Sequence, residues 1–255
     1  KVLVTCPPML GMIDTFRPIF EKHGVEVTAP KVVQTLSVEE LKEIVPQHDG
    51  WIIGDDPANR AVFEAGKAGQ LKAAVKWGIG VDNVDFAACK DFGIPIINTP
   101  NMFGGEVADI AVGYVIALAR ETFQIDDGVR QGHWPKPRGS SLNGKTVALV
   151  GMGDIGSNTA RRLIASRMSV ICYDPVAQTP ADLQHVQRAE WPNRAEEADF
   201  IVVTCSLTAS SRHMVNGEAF AKAKDGVRVV NVGRGPVIDQ LALEAALKSG
   251  KVHSA

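Results

Sequence analysis

The sequence has no long hydrophobic run, no basic tract and no closely spaced pair of cysteines. Its most apolar stretch, Ile110–Ala119, is too short to cross a bilayer, which takes about 20 residues in a helix. Lysine and arginine are scattered, and the formal net charge is −2. The chain therefore offers no positive surface to nucleic acid or to an anionic membrane, and we expect neither as a partner.

Cysteine is scarce, and its four copies form no C-x-x-C motif: Cys6, Cys89, Cys172 and Cys205. Three of them lie in or beside apolar runs, so we expect reduced thiols in a cytoplasmic protein. The chain starts with a strand-like run rather than a signal-peptide pattern. It starts without Met and ends at Ala255 just as a strand begins, and we expect it to be part of a longer protein.

Short apolar strands alternate with helical patterns along the whole chain, which predicts an α/β fold with parallel sheets covered by helices on both faces. We expect two Rossmann-like or flavodoxin-like domains, because 255 residues exceed one typical core. Residues 1–98 form the predicted companion domain, and residues 99–255 form the predicted dinucleotide-binding domain. The turn Cys6–Met9, after the first strand, has no glycine motif, so we expect no dinucleotide in the first domain.

The most informative stretch lies between Lys145 and Pro175. The strand-like run Thr146–Val150 leads into a G-x-G-x-x-G motif, then a helical pattern, and then a second strand that ends in an acid. In such a motif the first glycine permits the turn, the second lets a pyrophosphate approach, and the third lets the helix pack closely. The acid can accept both ribose hydroxyls and repel a 2′-phosphate, which favours NAD over NADP. The motif residues are Gly151, Gly153, Asp154, Ile155, Gly156 and Asp174.

A second glycine-rich segment, Lys76–Asp85, follows a predicted strand in the first domain. Glycines at a strand end free backbone N–H groups for an anion, and Lys76 adds positive charge. The alternative is an ordinary glycine turn in which Asn83 or Asp85 caps the next helix. The composition of the segment does not separate these two interpretations.

Three further segments bear on the organisation of the second domain. Glu106–Arg120 is a long helical pattern, apolar on most sides, that we expect to lie buried and to lead from one domain to the other. Residues 131–141 form an irregular segment, and His133 within it is more typical of a surface residue than of a catalyst. Arg234 follows a predicted strand and is flanked by glycines, so its guanidinium could pair with a carboxylate. The alternative for Arg234 is a surface ion pair.

Three segments together resemble the D-isomer-specific 2-hydroxyacid dehydrogenases, and phosphoglycerate dehydrogenase-like members most of all. The segments are KWGIGVDNVD (76–85), VGMGDIG (150–156) with YDP (173–175), and NVGRGPVID (231–239). The resemblance implies hydride transfer between NAD and a D-2-hydroxy acid, with Arg234 on the substrate's carboxylate and carbonyl oxygen. It also implies that Gly78, Ile79 and Gly80 hold that carboxylate, with Lys76 nearby. Cys205, Val232 and Gly233 would contact the cofactor, as would the motif residues and Asp174.

The resemblance further implies a catalytic histidine, which moves the hydroxyl proton, and a glutamate that tunes it. In the family these follow the strand predicted at Val252, so we expect both beyond Ala255. Relatives that act on phosphoglycerate often have a polar residue where this chain has Phe103. The substrate therefore stays open among phosphoglycerate-like acids, hydroxypyruvate and glyoxylate.

The alternative to an enzyme is an NAD(H)-sensing binding protein that resembles the corepressor relatives of this family. By resemblance alone, Glu106–Arg120 and residues 131–141 predict a homodimer. The sequence pattern predicts no metal site.

Overall fold

In a computed structural model that describes residues 1–255, the chain forms two compact units, Lys1–Met102 and Phe103–Ala255. We refer to them as the N-terminal unit and the C-terminal unit. The division lies just beyond the predicted boundary between residues 98 and 99. None of the helices combines the length and the apolar character that crossing a membrane requires.

The N-terminal unit is a five-stranded parallel sheet in the order β2-β1-β3-β4-β5. This is one of the common doubly wound orders, and its switch point lies between β1 and β3. Its elements are β1 (Val2–Val4), α1 (Pro7–Leu10), α2 (Ile13–Lys22), β2 (Val27–Thr28), α3 (Val38–Ile44), β3 (Gly50–Ile53), α4 (Arg60–Ala68), β4 (Ala73–Lys76), α5 (Phe86–Phe92) and β5 (Ile96–Asn98). A capping box begins α3, where Ser37 and Glu40 bond reciprocally.

The C-terminal unit is a six-stranded parallel sheet in the order β11-β10-β9-β6-β7-β8. This is the order of dinucleotide-binding folds, with the switch point between β6 and β9. Its elements are α6 (Gly104–Arg120), α7 (Thr122–Arg130), β6 (Thr146–Val150), α8 (Asp154–Ala165), β7 (Ser169–Tyr173), β8 (Gln187–Arg188), β9 (Phe200–Val203), α9 (Gly217–Lys222), β10 (Val227–Asn231), α10 (Gln240–Ser249) and β11 (Val252–Ser254). The predicted α/β class with two parallel sheets is therefore confirmed.

The helices of the C-terminal unit differ from expectation in two places. Helix α7 was not predicted, because TFQIDDGVR has few apolar residues to mark a helical face. Helix α6 packs on α8 through small residues such as Ala108 and Ala111, which are fully buried. The prediction that this helix lies buried is wrong for one face, where Ile110 and Tyr114 are 54% and 46% exposed.

A buried carboxylate organises the carboxyl edge of the N-terminal sheet. Asp56 is 0% exposed. Its Oδ1 accepts from the Leu36 N–H at 2.9 Å, and its Oδ2 accepts from the Gly54 N–H at 3.2 Å and from the Thr5 hydroxyl. A buried charge is tolerated when donors surround it in this way. Asp56 thus ties the loop after β3 to the end of β1.

We predict that Asp56→Ala lowers the free energy of unfolding of the N-terminal unit by about 3 kcal/mol, because three donors, two of them buried, lose their acceptor. Urea unfolding monitored by tryptophan fluorescence measures this change. Asp14→Ala is the matched control, since Asp14 is 91% exposed and pairs only with Arg17. Equal unfolding midpoints for the two variants would contradict the role assigned to Asp56.

Candidate functional site

The glycine motif forms the turn between β6 and α8, at the switch point of the C-terminal sheet. Gly151 has φ +102°, and a Cβ there would lie 2.7 Å from the Cys205 nitrogen. A Cβ on Gly156 would overlap the Gly151 carbonyl, so this glycine lets α8 approach the turn. Gly153 differs from both, because a Cβ there would meet no atom within 4 Å. The turn is therefore closely packed at Gly151 and Gly156 and open at Gly153.

The first turn of α8 presents free donors at this open position. The Ser157 N–H is the first to bond within the helix, to the Gly153 carbonyl at 2.9 Å. The N–H groups of Asp154 and Ile155 meet no acceptor in the protein, and no side chain caps the helix. Unpaired N–H groups at the positive end of a helix dipole favour an anion such as a pyrophosphate.

The carboxylate of Asp154 does not occupy this helix end. It lies against Gly104 at the start of α6, where a Cβ on that glycine would overlap it. Its Oδ1 accepts from the Asn158 amide at 3.1 Å, while its Oδ2 is buried without a hydrogen-bond partner. The contact predicted between Asp154 and a pyrophosphate can therefore come from its backbone N–H and not from its carboxylate.

Asp174 ends β7 beside the glycine turn. Its Oδ2 accepts from the Met152 N–H at 2.7 Å, and its Oδ1 accepts from the N–H groups of Val176 and Ala177 at 2.9 and 2.7 Å. Burial raises the pKa of Asp174, but these N–H groups and the charge of Arg188 outweigh burial, so the net pKa is below its ordinary value. Asp174 is thus a fixed anion at the strand end.

A cleft of about 480 Å³ runs along these strand ends, within the usual range for small-molecule sites. Gly153, Asp174, Cys205 and Thr208 are among its lining residues. A second cleft, of about 630 Å³, shares Tyr173 and Asp174 with the first. Four of the predicted nucleotide residues, Gly151, Gly153, Asp174 and Cys205, therefore line one cleft at the sheet edge.

Cys205 lies at the end of β9 and is half-buried against Gly151. Burial is the largest influence on its thiol and raises the pKa, which keeps the sulfur neutral at pH 7. Thr204, which the sequence did not single out, donates its hydroxyl to the Gly151 carbonyl at 3.0 Å. These two residues shape the turn, and neither is an activated nucleophile.

Arg234 lies in a loop that follows β10 and is held by Asn231. The Asn231 Oδ1 accepts from the Gly233 N–H at 2.9 Å, and its Nδ2 donates to the Arg234 carbonyl at 3.1 Å. A Cβ on Gly233 would lie 2.6 Å from the Cys205 carbonyl oxygen, so only glycine fits there. The Val232 N–H still bonds to the Val203 carbonyl at 3.0 Å. Asn231 was missing from the predicted set, although the motif contains it.

In the N-terminal unit the glycine segment after β4 contains both a helix cap and free backbone donors, the two interpretations that the sequence left open. Asp85 caps α5, since its Oδ1 accepts from the Ala88 N–H at 2.8 Å. The N–H of Gly78, which was predicted to bind an anion, instead donates to the Thr99 hydroxyl at 2.9 Å. The N–H groups of Ile79 and Gly80 meet no protein acceptor. Two of the three predicted backbone donors are therefore available.

Lys76 ends β4 and is 2% exposed. Its Nζ donates to the Gly54 carbonyl and, at 3.0 Å, to the Asp55 Oδ1. Asn83 is not a helix cap; its amide donates to the Gly54 and Asp56 carbonyls at 3.1 and 2.7 Å. The positive charge expected at this site is thus present, but Asp55 already pairs with it.

The C-terminal unit matches a known family. The sequence model described as "D-isomer specific 2-hydroxyacid dehydrogenase, NAD binding domain" matches residues 112–255. This range contains the glycine turn, Asp174 and the Arg234 loop. NAD is the cofactor of this unit, and the open Gly153, the two free N–H groups and the fixed Asp174 carboxylate fit it.

Relatives match along the rest of the chain as well. A hydroxypyruvate reductase of Thermotoga maritima is 38% identical over 93% of this chain and 76% of its own length. A D-3-phosphoglycerate dehydrogenase of Archaeoglobus fulgidus is 34% identical over 100% of this chain, which spans only 47% of that enzyme. Among solved structures, the apo D-lactate dehydrogenase of Escherichia coli superposes with a TM-score of 0.83 at 26% identity, over 98% of this chain and 79% of that chain.

We predict that Gly153→Ala raises the Kd of NADH at least about tenfold, because its methyl group enters the space a pyrophosphate needs. The thermal midpoint should stay within about 2 °C, since that methyl group meets no protein atom. Fluorescence titration of NADH and thermal unfolding measure the two effects.

Gly156→Ala is the companion variant. Its methyl group overlaps the Gly151 carbonyl, so we expect lost stability together with lost binding. Unchanged NADH affinity in Gly153→Ala would contradict the assignment of the turn.

Proposed function

The chain belongs to the D-isomer-specific 2-hydroxyacid dehydrogenase family, and we propose that it transfers a hydride between NAD and C2 of a small D-2-hydroxy acid or 2-oxo acid. The substrate classes we propose are hydroxypyruvate, glyoxylate and phosphoglycerate-like acids. The observation that carries the proposal is the placement of Gly153 and Arg234. The strands that lead to them, β6 and β10, both flank β9 in one sheet.

When bound, NAD supplies or accepts the hydride. We propose that the N–H groups of Asp154 and Ile155 hold its pyrophosphate and that Asp174 accepts the hydroxyls of its adenosine ribose. A fixed, ionised carboxylate at Asp174 repels a 2′-phosphate, which supports NAD rather than NADP. Val232 and Gly233 would lie on the nicotinamide side, with Cys205 as a neutral neighbour.

Arg234 is the proposed catalytic residue. A guanidinium can bind the substrate's carboxylate through two parallel hydrogen bonds and also donate to the 2-oxo group, whose polarisation assists hydride addition at C2. Asn231 holds the Arg234 backbone and so fixes where the side chain begins. The free N–H groups of Ile79 and Gly80 are a second proposed set of donors for that same carboxylate.

We predict that the protein oxidises NADH with at least one member of a panel of glyoxylate, hydroxypyruvate, pyruvate and phosphohydroxypyruvate. Arg234→Lys should lower kcat/KM on the order of 100-fold, because an ammonium cannot reproduce the paired hydrogen bonds. The NADH Kd should stay within about twofold, since the pyrophosphate donors lie on α8.

Arg130→Lys is the control, because Arg130 is 75% exposed on α7 and pairs with Asp126. Absorbance at the NADH band follows turnover. NADH binding without turnover on any acid would support the binding-protein alternative instead.

We further infer that the protein is a cytoplasmic homodimer. The four cysteines form no disulfide, which agrees with a reducing compartment. Around α6, α7 and the segment that follows them, apolar side chains face solvent, with Phe123 and Trp134 57% and 76% exposed. Apolar groups clustered on a surface are typical of a subunit interface.

We predict a dimer mass by sedimentation equilibrium, shifted toward the monomer by Trp134→Glu, because a carboxylate is costly in an apolar interface. Val33→Glu is the control, since Val33 is 91% exposed on the N-terminal unit. A monomeric wild-type protein would contradict the inference.

A further inference from the structure

The carboxyl edge of the N-terminal sheet is rich in aspartate. The loops after β3, β4 and β5, residues 54–59, 77–85 and 99–102, contain four aspartates and no lysine or arginine. Lys76, the last residue of β4, pairs with one of them, Asp55. Ligands of parallel sheets bind beyond the carboxyl ends of the strands, so these loops lie at the expected place of a substrate.

The single lysine cannot serve as a free anion receptor. Its side chain is 2% exposed, whereas its partner Asp55 is 78% exposed. A buried ammonium needs its ion pair and hydrogen bonds, and releasing it from Asp55 to a ligand would cost the energy of that pair. The solvent-exposed member of the ion pair is therefore the carboxylate of Asp55, and the ammonium of Lys76 is buried.

Another cation cannot be placed at the neighbouring position. A Cβ on Gly54 would lie 2.8 Å from the Cys6 Cα and 3.1 Å from the Thr5 carbonyl oxygen. Gly54 thus brings β3 into close contact with the end of β1, at the switch point of the sheet. Asp55 is the first residue after this contact that can carry a side chain, and it is acidic.

The Lys76 end of the ion pair lies close to the available backbone donors. A Cβ on Gly78 would be 3.8 Å from the Lys76 Nζ, and the free N–H groups of Ile79 and Gly80 follow Gly78 directly. Two N–H groups can hold one carboxylate. Any further anionic group on the same ligand would enter the field of Asp55, where like charges repel.

We propose that Asp55 is a specificity-determining residue that restricts the substrate to 2-oxo acids with a single negative charge and excludes those with a phosphate or second carboxylate on C3. This inference rests on the proposed function, because it assumes that the acid's carboxylate binds at Ile79 and Gly80. It narrows the substrate to hydroxypyruvate, glyoxylate or a similar monoanion. A hydroxyl on C3 can donate a hydrogen bond to Asp55, which a phosphate ester cannot.

The test compares wild-type protein with Asp55→Asn, which removes the charge and keeps the size, and with Asp55→Ser as a second variant. Asp91→Asn is the matched control. Asp91 is 56% exposed, pairs with Arg60, and lies at the end of α5 away from the carboxyl edge. For each protein, kcat/KM is measured with hydroxypyruvate and with phosphohydroxypyruvate. Calorimetry gives the Kd of D-glycerate and of 3-phospho-D-glycerate.

We expect wild-type protein to prefer the unphosphorylated member of each pair. Asp55→Asn should shift both ratios toward the phosphorylated acid by about tenfold, with a smaller shift at high salt, whereas Asp91→Asn should leave them unchanged. Equal ratios in Asp55→Asn and wild type, wild-type preference for the phosphorylated acid, or no binding of either acid to any variant would overturn the proposal.

The binding ratios separate this proposal from the function it rests on. A protein that binds glycerate more tightly than phosphoglycerate, and whose Asp55→Asn variant loses that preference, supports the role of Asp55 even if no 2-oxo acid is reduced. Absence of turnover on the panel contradicts the proposed reaction alone.

Discussion

The close packing of α8 on the glycine turn is the contact on which the C-terminal unit depends. Gly156 has no side chain, so the helix can begin directly beside the Gly151 carbonyl, which also accepts the Thr204 hydroxyl. The helix end is therefore held at the sheet edge while its first N–H groups remain free. Preorganised donors of this kind need no rearrangement to receive an anion, so the packing that stabilises the unit also creates its binding site.

Each unit uses one aspartate to hold the loop at its switch point, but the two carboxylates differ in exposure. Asp174 accepts three backbone N–H groups and still lines a cleft. Asp56 accepts two N–H groups and a hydroxyl and is fully buried. Because a ligand can reach only the first, the same architecture provides a nucleotide site in one unit and a structural anchor in the other.

The parts of this structure that could be predicted from the sequence are those encoded by neighbouring residues. The strand Thr146–Val150, the glycine spacing and the acid at Asp174 lie within one βαβ segment, and their local pattern was sufficient. Hydrogen bonds and ion pairs between residues far apart in the chain could not be predicted from the sequence. The N–H of Gly78 is taken by Thr99, and Lys76 is paired with Asp55, both more than twenty residues away. Spacing suggested free donors at both positions, because only the folded sheet brings their partners alongside.

The exposed carboxylate of Asp55 can lie beside a site for an anion, because hydrogen bonds act at short range and the electrostatic field of a carboxylate reaches further. Backbone N–H groups bind a carboxylate through short, directional hydrogen bonds, and these outweigh the field of one neighbouring aspartate. A second anionic group on the substrate adds repulsion without a donor of its own, since Lys76 is already paired and Gly54 leaves no room for another cation. The number of charges on the acid, rather than its size alone, is therefore what this edge of the sheet can distinguish.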